Sequence, residues 1–395
     1  MSSGAFQILR PGKVFWLTAG VAAALALSGL AGAHHMESAG HWVTGMNNRV
    51  VWGLPHVFAV FLIVAASGAL NVASIASVFK KASYKPLSRL SGLMAMALLV
   101  GGLSVLVLDL GRPDRLIIAM TYYNFKSIFA WNIFLYTGLL VVVAAYLWMM
   151  FEPRMHRFVG AVGKVAFIWR LVLTTGTGSI FGVLVAREAF GSIVFVPMFI
   201  SMSLSFGTAV MLLAIILMFR LNNLPVKDEV ITKLRSLLAY FVITVAFFVA
   251  VDHLTRLYTV GDTGVERFLL VDGGIYPLLF WAGQCLLGTV IPGIMLLTPR
   301  LAGRFPTVVA SLLVLLGAFA QLYVLIVGGQ AFPMDIFPGY TETSSYFDGV
   351  VAGYQPSLPE LALGLGGIGL ALLIALLATR VLPFLPQAPV DQPGG

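Results

Sequence analysis

The 395-residue chain is short of charge, of cysteine and of histidine. Asp, Glu, Lys and Arg make up 10% of it, against about 25% in soluble domains, which excludes a water-facing domain between its apolar runs. Its one cysteine, Cys285, lies inside such a run. That excludes a disulfide framework, a CxxC zinc site and four-thiolate iron–sulfur ligation, so no metal site is expected here and any cluster belongs to a partner. The six histidines are badly distributed for b-type haem, which needs two facing each other across helices. Only His56 and His253 fall within or at apolar runs; His34, His35 and His41 read as loop residues and His156 as lying at the other membrane face.

What the chain has in abundance is apolar length, with 59% hydrophobic residues and a mean hydropathy of +0.96. Runs long enough to cross a hydrocarbon core of about 30 Å as helices are predicted near 14–33, 54–79, 91–110, 127–150, 165–189, 194–219, 236–258, 274–298, 307–330 and 358–382. The fold class is therefore an all-α integral membrane protein with ten spans. With the N-terminus inside, seventeen of the 24 basic residues fall on inner segments, so the positive-inside rule places both termini in the cytoplasm. The +8 net charge then marks orientation in a lipid membrane rather than nucleic-acid binding. Ala31-Gly32-Ala33 mimics a signal-peptide cleavage site, but the preceding run exceeds the usual apolar region of about 7–15 residues and is read as a true helix.

Ionisable groups at bilayer depth are costly and mark function. Those present gather at the outer face: Asp109, Arg112, Asp114 and Arg115 after span three, Asp252, His253 and Arg256 at the end of span seven, Arg187 and Glu188 after span five, and His56 at the start of span two. Asp109 and Arg112 are three apart and Asp252 and Arg256 four apart, spacings that pair acid and base if the helix continues, although Gly111 and Pro113 argue against continuation in the first case. Spans three and seven both end in an acid followed by arginine, which suggests a duplicated four-helix unit, spans two to five and six to nine. The division expected is 1–53, first helix and outer loop; 54–190 and 191–331, two four-helix bundles; and 332–395, outer loop and last helix.

Three further signals read as structure. Ser67, Asn71 and Ser74 run inward from His56 as an interhelix hydrogen-bonding stripe. "GLGGIG", Gly364 to Gly369, lies inside an apolar span with no strand before it, so it reads as close helix packing rather than dinucleotide binding. Trp16, Trp42, Trp52, Trp131, Trp148 and Trp169 sit near span ends as an aromatic belt. The loop from Phe332 to Glu360, with Asp335, Glu342, Asp348 and Glu360 and no basic residue, is long enough to cover a site or meet a partner.

"LDLGRPDRL" followed by "TYYNFKSIFAWNIFLY", with "WGLPHVFAVFLIVAASGALNVAS" on span two, resembles the NrfD/PsrC family, membrane subunits of polysulfide reductase and related respiratory complexes. Ten spans resemble the subgroup containing DsrP of the DsrMKJOP complex, with HybB-type hydrogenase subunits next. The resemblance implies two four-helix bundles, a prokaryotic cytoplasmic membrane, a role in sulfur metabolism, and no redox centre in this subunit. It also implies a quinone pocket, for menaquinone or ubiquinone, facing an extracytoplasmic ferredoxin-like iron–sulfur subunit and further redox subunits. Carried onto this chain, the Asp109-to-Arg112 motif matches the pocket-side signature and His56 a polar position of the first core helix, so Asp109 and His56 are the expected proton-handling groups and Arg112 the cation that holds Asp109 ionised or orients it; by position alone Tyr122 and Tyr123 form an aromatic lid, and by repeat position and charge Asp252, His253 and Arg256 form a second polar cluster. An ion or solute transporter would place ionisable groups near the midplane, and a purely structural anchor for the partner complex would be separated by assaying quinol oxidation in the purified complex.

Overall fold

The computed structural model describes residues 6–224, 228–334, 340 and 349–387; Asp335, Glu342 and Asp348 of the acidic loop lie outside the described residues. Ten helices long and apolar enough to cross a membrane follow one another: α1 (Lys13–Ala39), α2 (Leu54–Ser77), α3 (Ala82–Leu108), α4 (Ile128–Phe151), α5 (Pro153–Gly182), α6 (Phe195–Leu221), α7 (Asp228–Tyr258), α8 (Ile275–Leu297), α9 (Arg304–Ala331) and α10 (Leu358–Val381). Helices are the required answer in hydrocarbon because every backbone polar group is satisfied within the segment. Pro55, Pro153 and Pro359 stand in the first turn of their helices, where a missing N–H costs nothing. The only strands among the described residues, β1 (Phe6–Gln7) and β2 (Leu385–Pro386), pair antiparallel and join both ends of the chain at the basic end of the bundle. The opposite end is called outer below.

Two boundaries differ from expectation. α1 runs to Ala39, so His34 and His35 are helical and not in a loop. α5 stops at Gly182, and Arg187 and Glu188 belong to a turn in which Gly191, at φ 81°, donates its N–H to the Phe181 carbonyl.

α2 is the hub, touching α3, α5, α6, α9 and α10. The neighbour pattern within α2–α5, α2 on α3, α3 on α4, α4 on α5 and α5 on α2, recurs within the group α6–α9, and α2 also packs broadly on α6 and meets α9. Two members of the stripe on α2 bond across helices as expected, Ser67 Oγ lying 2.7 Å from Thr174 Oγ1 and Asn71 donating to Thr208 and the Leu204 carbonyl, whereas Ser74 Oγ donates to the Leu70 carbonyl of its own helix. Arg170 is buried in α5; its guanidinium reaches the Ser67 carbonyl at 3.3 Å and its Nε has no hydrogen-bond partner.

α10 closes the bundle through its glycines. A Cβ on Gly366 would lie 2.5 Å from Gly29 Cα of α1, one on Gly364 2.0 Å from the Phe58 ring, and one on Gly367 2.3 Å from Val105. Small residues let helices approach this closely. α8 and α9 wind partly with i→i+5 bonds, over Leu279–Val290 and Val324–Gly328, turns that gather at functional sites.

Candidate functional site at the outer end

The first cluster forms where α2 begins and α3 ends. Gly111 and Pro113 stop α3 at Leu108, leaving Asp109 as its terminal residue. His56 stands in the first turn of α2, and its Nδ1 lies 3.0 Å from Asp109 Oδ2. The Asp109 side chain is 2% exposed, that of His56 20%, and the second carboxylate oxygen, Oδ1, is buried with no hydrogen-bond partner. Burial pushes the Asp109 carboxyl above the usual carboxylate range, while the His56 hydrogen bond and charge pull the other way. One step further out, Trp52 stacks on His56 with centroids 5.8 Å apart and planes 20° apart, and its other neighbours are Phe129, Phe181 and Phe190. His41 rests against Gly111, and its Nε2 is likewise buried without a partner.

The segment carrying Trp52 is held by residues from far along the sequence. Glu360 Oε2 accepts from Gly45 N–H, and Tyr354 Oη accepts from Leu54 N–H while donating to Glu360 Oε1. Gln330 Oε1 accepts from the N–H groups of Val51 and Trp52, and its Nε2 donates to the Trp52 carbonyl. Arg187 donates to the carbonyls of Arg49 and Gln330.

In the second cluster α7 continues unbroken to Tyr258, so Asp252 and Arg256 do pair, Nε to Oδ2 at 3.2 Å. Ser192 Oγ donates to Asp252 Oδ1 at 2.5 Å. His253 Nδ1 lies 2.7 Å from Glu266 Oε2, and Arg256 Nε 3.7 Å from Glu266 Oε1. Arg256 also donates to the Glu188 carbonyl. Adjacent residues of one turn thus touch both clusters: Arg187 braces the first, and Glu188 receives the second.

Residues 42–334 match the family described as Polysulphide reductase, NrfD. The chain belongs to the NrfD family. The NrfD match takes in α2–α9 whole and leaves α1 and α10 outside it. The protein is 28% identical over 354 residues to the Hdr-like menaquinol oxidoreductase integral membrane subunit of Archaeoglobus fulgidus, 89% of each sequence. It is 28% identical over 411 residues to a putative dimethyl sulfoxide reductase membrane subunit of Halobacterium salinarum, 95% of this sequence and 92% of that one. A polysulfide reductase subunit of Wolinella succinogenes is 24% identical over 308 residues, 72% of this sequence and 96% of that one. The expected NrfD/PsrC membership and all-α membrane fold therefore hold.

Within this NrfD protein the expected partners change. Arg112 does not hold Asp109: past the helix break it forms a two-pronged pair with Asp114, both exposed, and lowers that carboxyl below its ordinary range. Tyr122 is 86% exposed and Tyr123 packs edge-on to Phe125 and Phe134, so the ring over His56 is that of Trp52. Sequence reasoning missed Trp52 and His41 as site residues, and Glu266 altogether.

Proposed function

We propose that the protein is the quinone/quinol-interacting subunit of a respiratory redox complex acting in sulfur metabolism. In this reading it exchanges electrons with an extracytoplasmic iron–sulfur partner at the end where His56 and Asp109 lie. The observation that carries the reading is the unpartnered, buried Asp109 Oδ1 beside His56. A buried carboxylate oxygen without a donor is costly and is the acceptor that a quinol hydroxyl fits. The names of relatives, a menaquinol oxidoreductase subunit and a polysulfide reductase subunit, support the same chemistry.

A quinol supplies two electrons, which leave for the partner, and two protons, which this subunit must handle. Asp109 is the base, its burial raising its proton affinity toward the working range. His56, hydrogen-bonded to it and partly exposed, passes the proton outward. Trp52 offers a flat apolar face and fixes the imidazole plane. The test is to isolate the complex from its native membrane, identify what accompanies the protein, and add quinol. Reduction of the partner's clusters is expected; clusters that dithionite reduces and quinol does not would overturn the reading.

A further inference from the structure

The geometry points to a second site, distinct from the quinone reading: a water-filled, proton-holding cavity at the outer end of α6–α9, built on Glu266 and His253. Asp252, His253 and Arg256 of α7 and Glu266 of the short helix Thr263–Arg267 line a cavity of about 40 Å³. Gln284 of α8 and Gln321 of α9 complete its polar wall, and among the described residues no further charged side chain lines it.

Volume decides what it can hold. A water needs about 10–15 Å³ of such space, whereas sites for organic ligands run to about 300–1,000 Å³. The cavity therefore admits a few waters and excludes a quinone ring, although Asp252 lies in the outer part of α7 as Asp109 lies at the outer end of α3.

Charge decides what accompanies the water. Asp252 and Arg256 neutralise each other and are fully bonded, to Ser192 and to the carbonyls of Glu188 and Phe190. Glu266 is the surplus acid, which Arg256 reaches only at 3.7 Å while bonding Asp252. Its side chain is 0% exposed, Oε2 meets His253 and Oε1 is without a hydrogen-bond partner. With a neutral imidazole the four side chains carry one uncompensated negative charge in a buried setting, which the surroundings penalise. One proton shared between His253 and Glu266 removes it. His253, 18% exposed, is the port: a proton arrives from outer water at the imidazole, is held on the Nδ1–Oε2 pair with cavity water bonding Oε1, and returns the same way. No electron moves and no bond other than N–H or O–H forms or breaks.

The experiment is infrared difference spectroscopy of the full-length protein in lipid nanodiscs, titrated with pH in H2O and D2O, with proton uptake read in parallel by an indicator dye. Wild-type protein should show histidine and carboxyl bands titrating together with uptake of one proton. Glu266→Gln should lose both the bands and that proton; His253→Asn, of similar size and still able to bond Glu266, should leave a single carboxyl band with a displaced midpoint. Spectra and proton count unchanged from wild type in either helical, monodisperse variant would overturn the site. If Glu266→Gln does not fold, His253→Asn decides alone.

Discussion

Replacing Asp109 with Asn keeps the side-chain volume and leaves an acceptor for His56, so the helix end and the 3.0 Å contact have no steric reason to change. What goes is the charge and the ability to take a proton. Loss of a positioned general base costs about 10²–10⁴ in rate, or about 3–5 kcal/mol of barrier at about 1.4 kcal/mol per decade. The assay is quinol oxidation by the native complex carrying the variant, with insertion and partner content checked. The expected result is a fall in kcat of at least about a hundredfold at constant assembly. Turnover within about threefold of wild type in a fully assembled complex would refute the role of Asp109. The pH profile adds a sign. Because burial raises the Asp109 carboxyl above its ordinary value, the base is lost as pH falls through a point above about 3.8. His56→Gln removes the influence that lowers it, so the acid limb should move to higher pH, and Asp109→Asn should abolish that limb.

Trp52→Ala removes a stacked ring worth about 0.5–1.5 kcal/mol, so quinol KM should rise about 2- to 10-fold with kcat less affected; an unchanged KM counts against Trp52 as the covering ring. Gly366→Ala forces a Cβ to within 2.5 Å of Gly29 backbone and should cost about 1–3 kcal/mol of overpacking, read as a lower melting temperature in detergent, whereas Gly20→Ala, with nothing within 4 Å, should leave it unchanged. Arg170→Met replaces a buried cation that no carboxylate neutralises among the described residues. It should be neutral or stabilise by up to about 1–4 kcal/mol; a drop in melting temperature comparable to that of Gly366→Ala would contradict this.

The ten helices were readable because hydropathy is counted locally and the bilayer sets the length. The ends were less so: Leu184 and Val185 prolong the apolar run of α5 past its true stop, and polar His34 and His35 disguise a helix that continues. At the sites, pairing within one helix was readable only where the helix is intact. Asp252 and Arg256 met as their spacing predicts; Asp109 and Arg112 did not, because the break at Gly111 and Pro113 carries Arg112 away. His56 and Asp109 were each identifiable as ionisable groups at span ends, but their contact joins residues 53 apart, which no periodicity encodes. Gln330 and Trp52 are 278 apart. One missed partner had a local signal: Glu360 stands three residues after Ser357, whose N–H it accepts, the S-x-x-E spacing of a helix start.

The dependence of the outer rim on Glu360 sets an order of assembly. Gly45, whose amide that carboxylate accepts, precedes it by 315 residues, on the order of 15–60 s of synthesis at about 5–20 residues per second. Until α10 is inserted, the N–H of Gly45 and the Tyr354 hydroxyl beneath Leu54 lack their acceptor, and only Gln330 of α9 holds the Trp52 backbone. The outer rim around His56 and Asp109 is thus completed only by α10, so a growing polypeptide cannot present that cluster under its finished rim before α10 is in place.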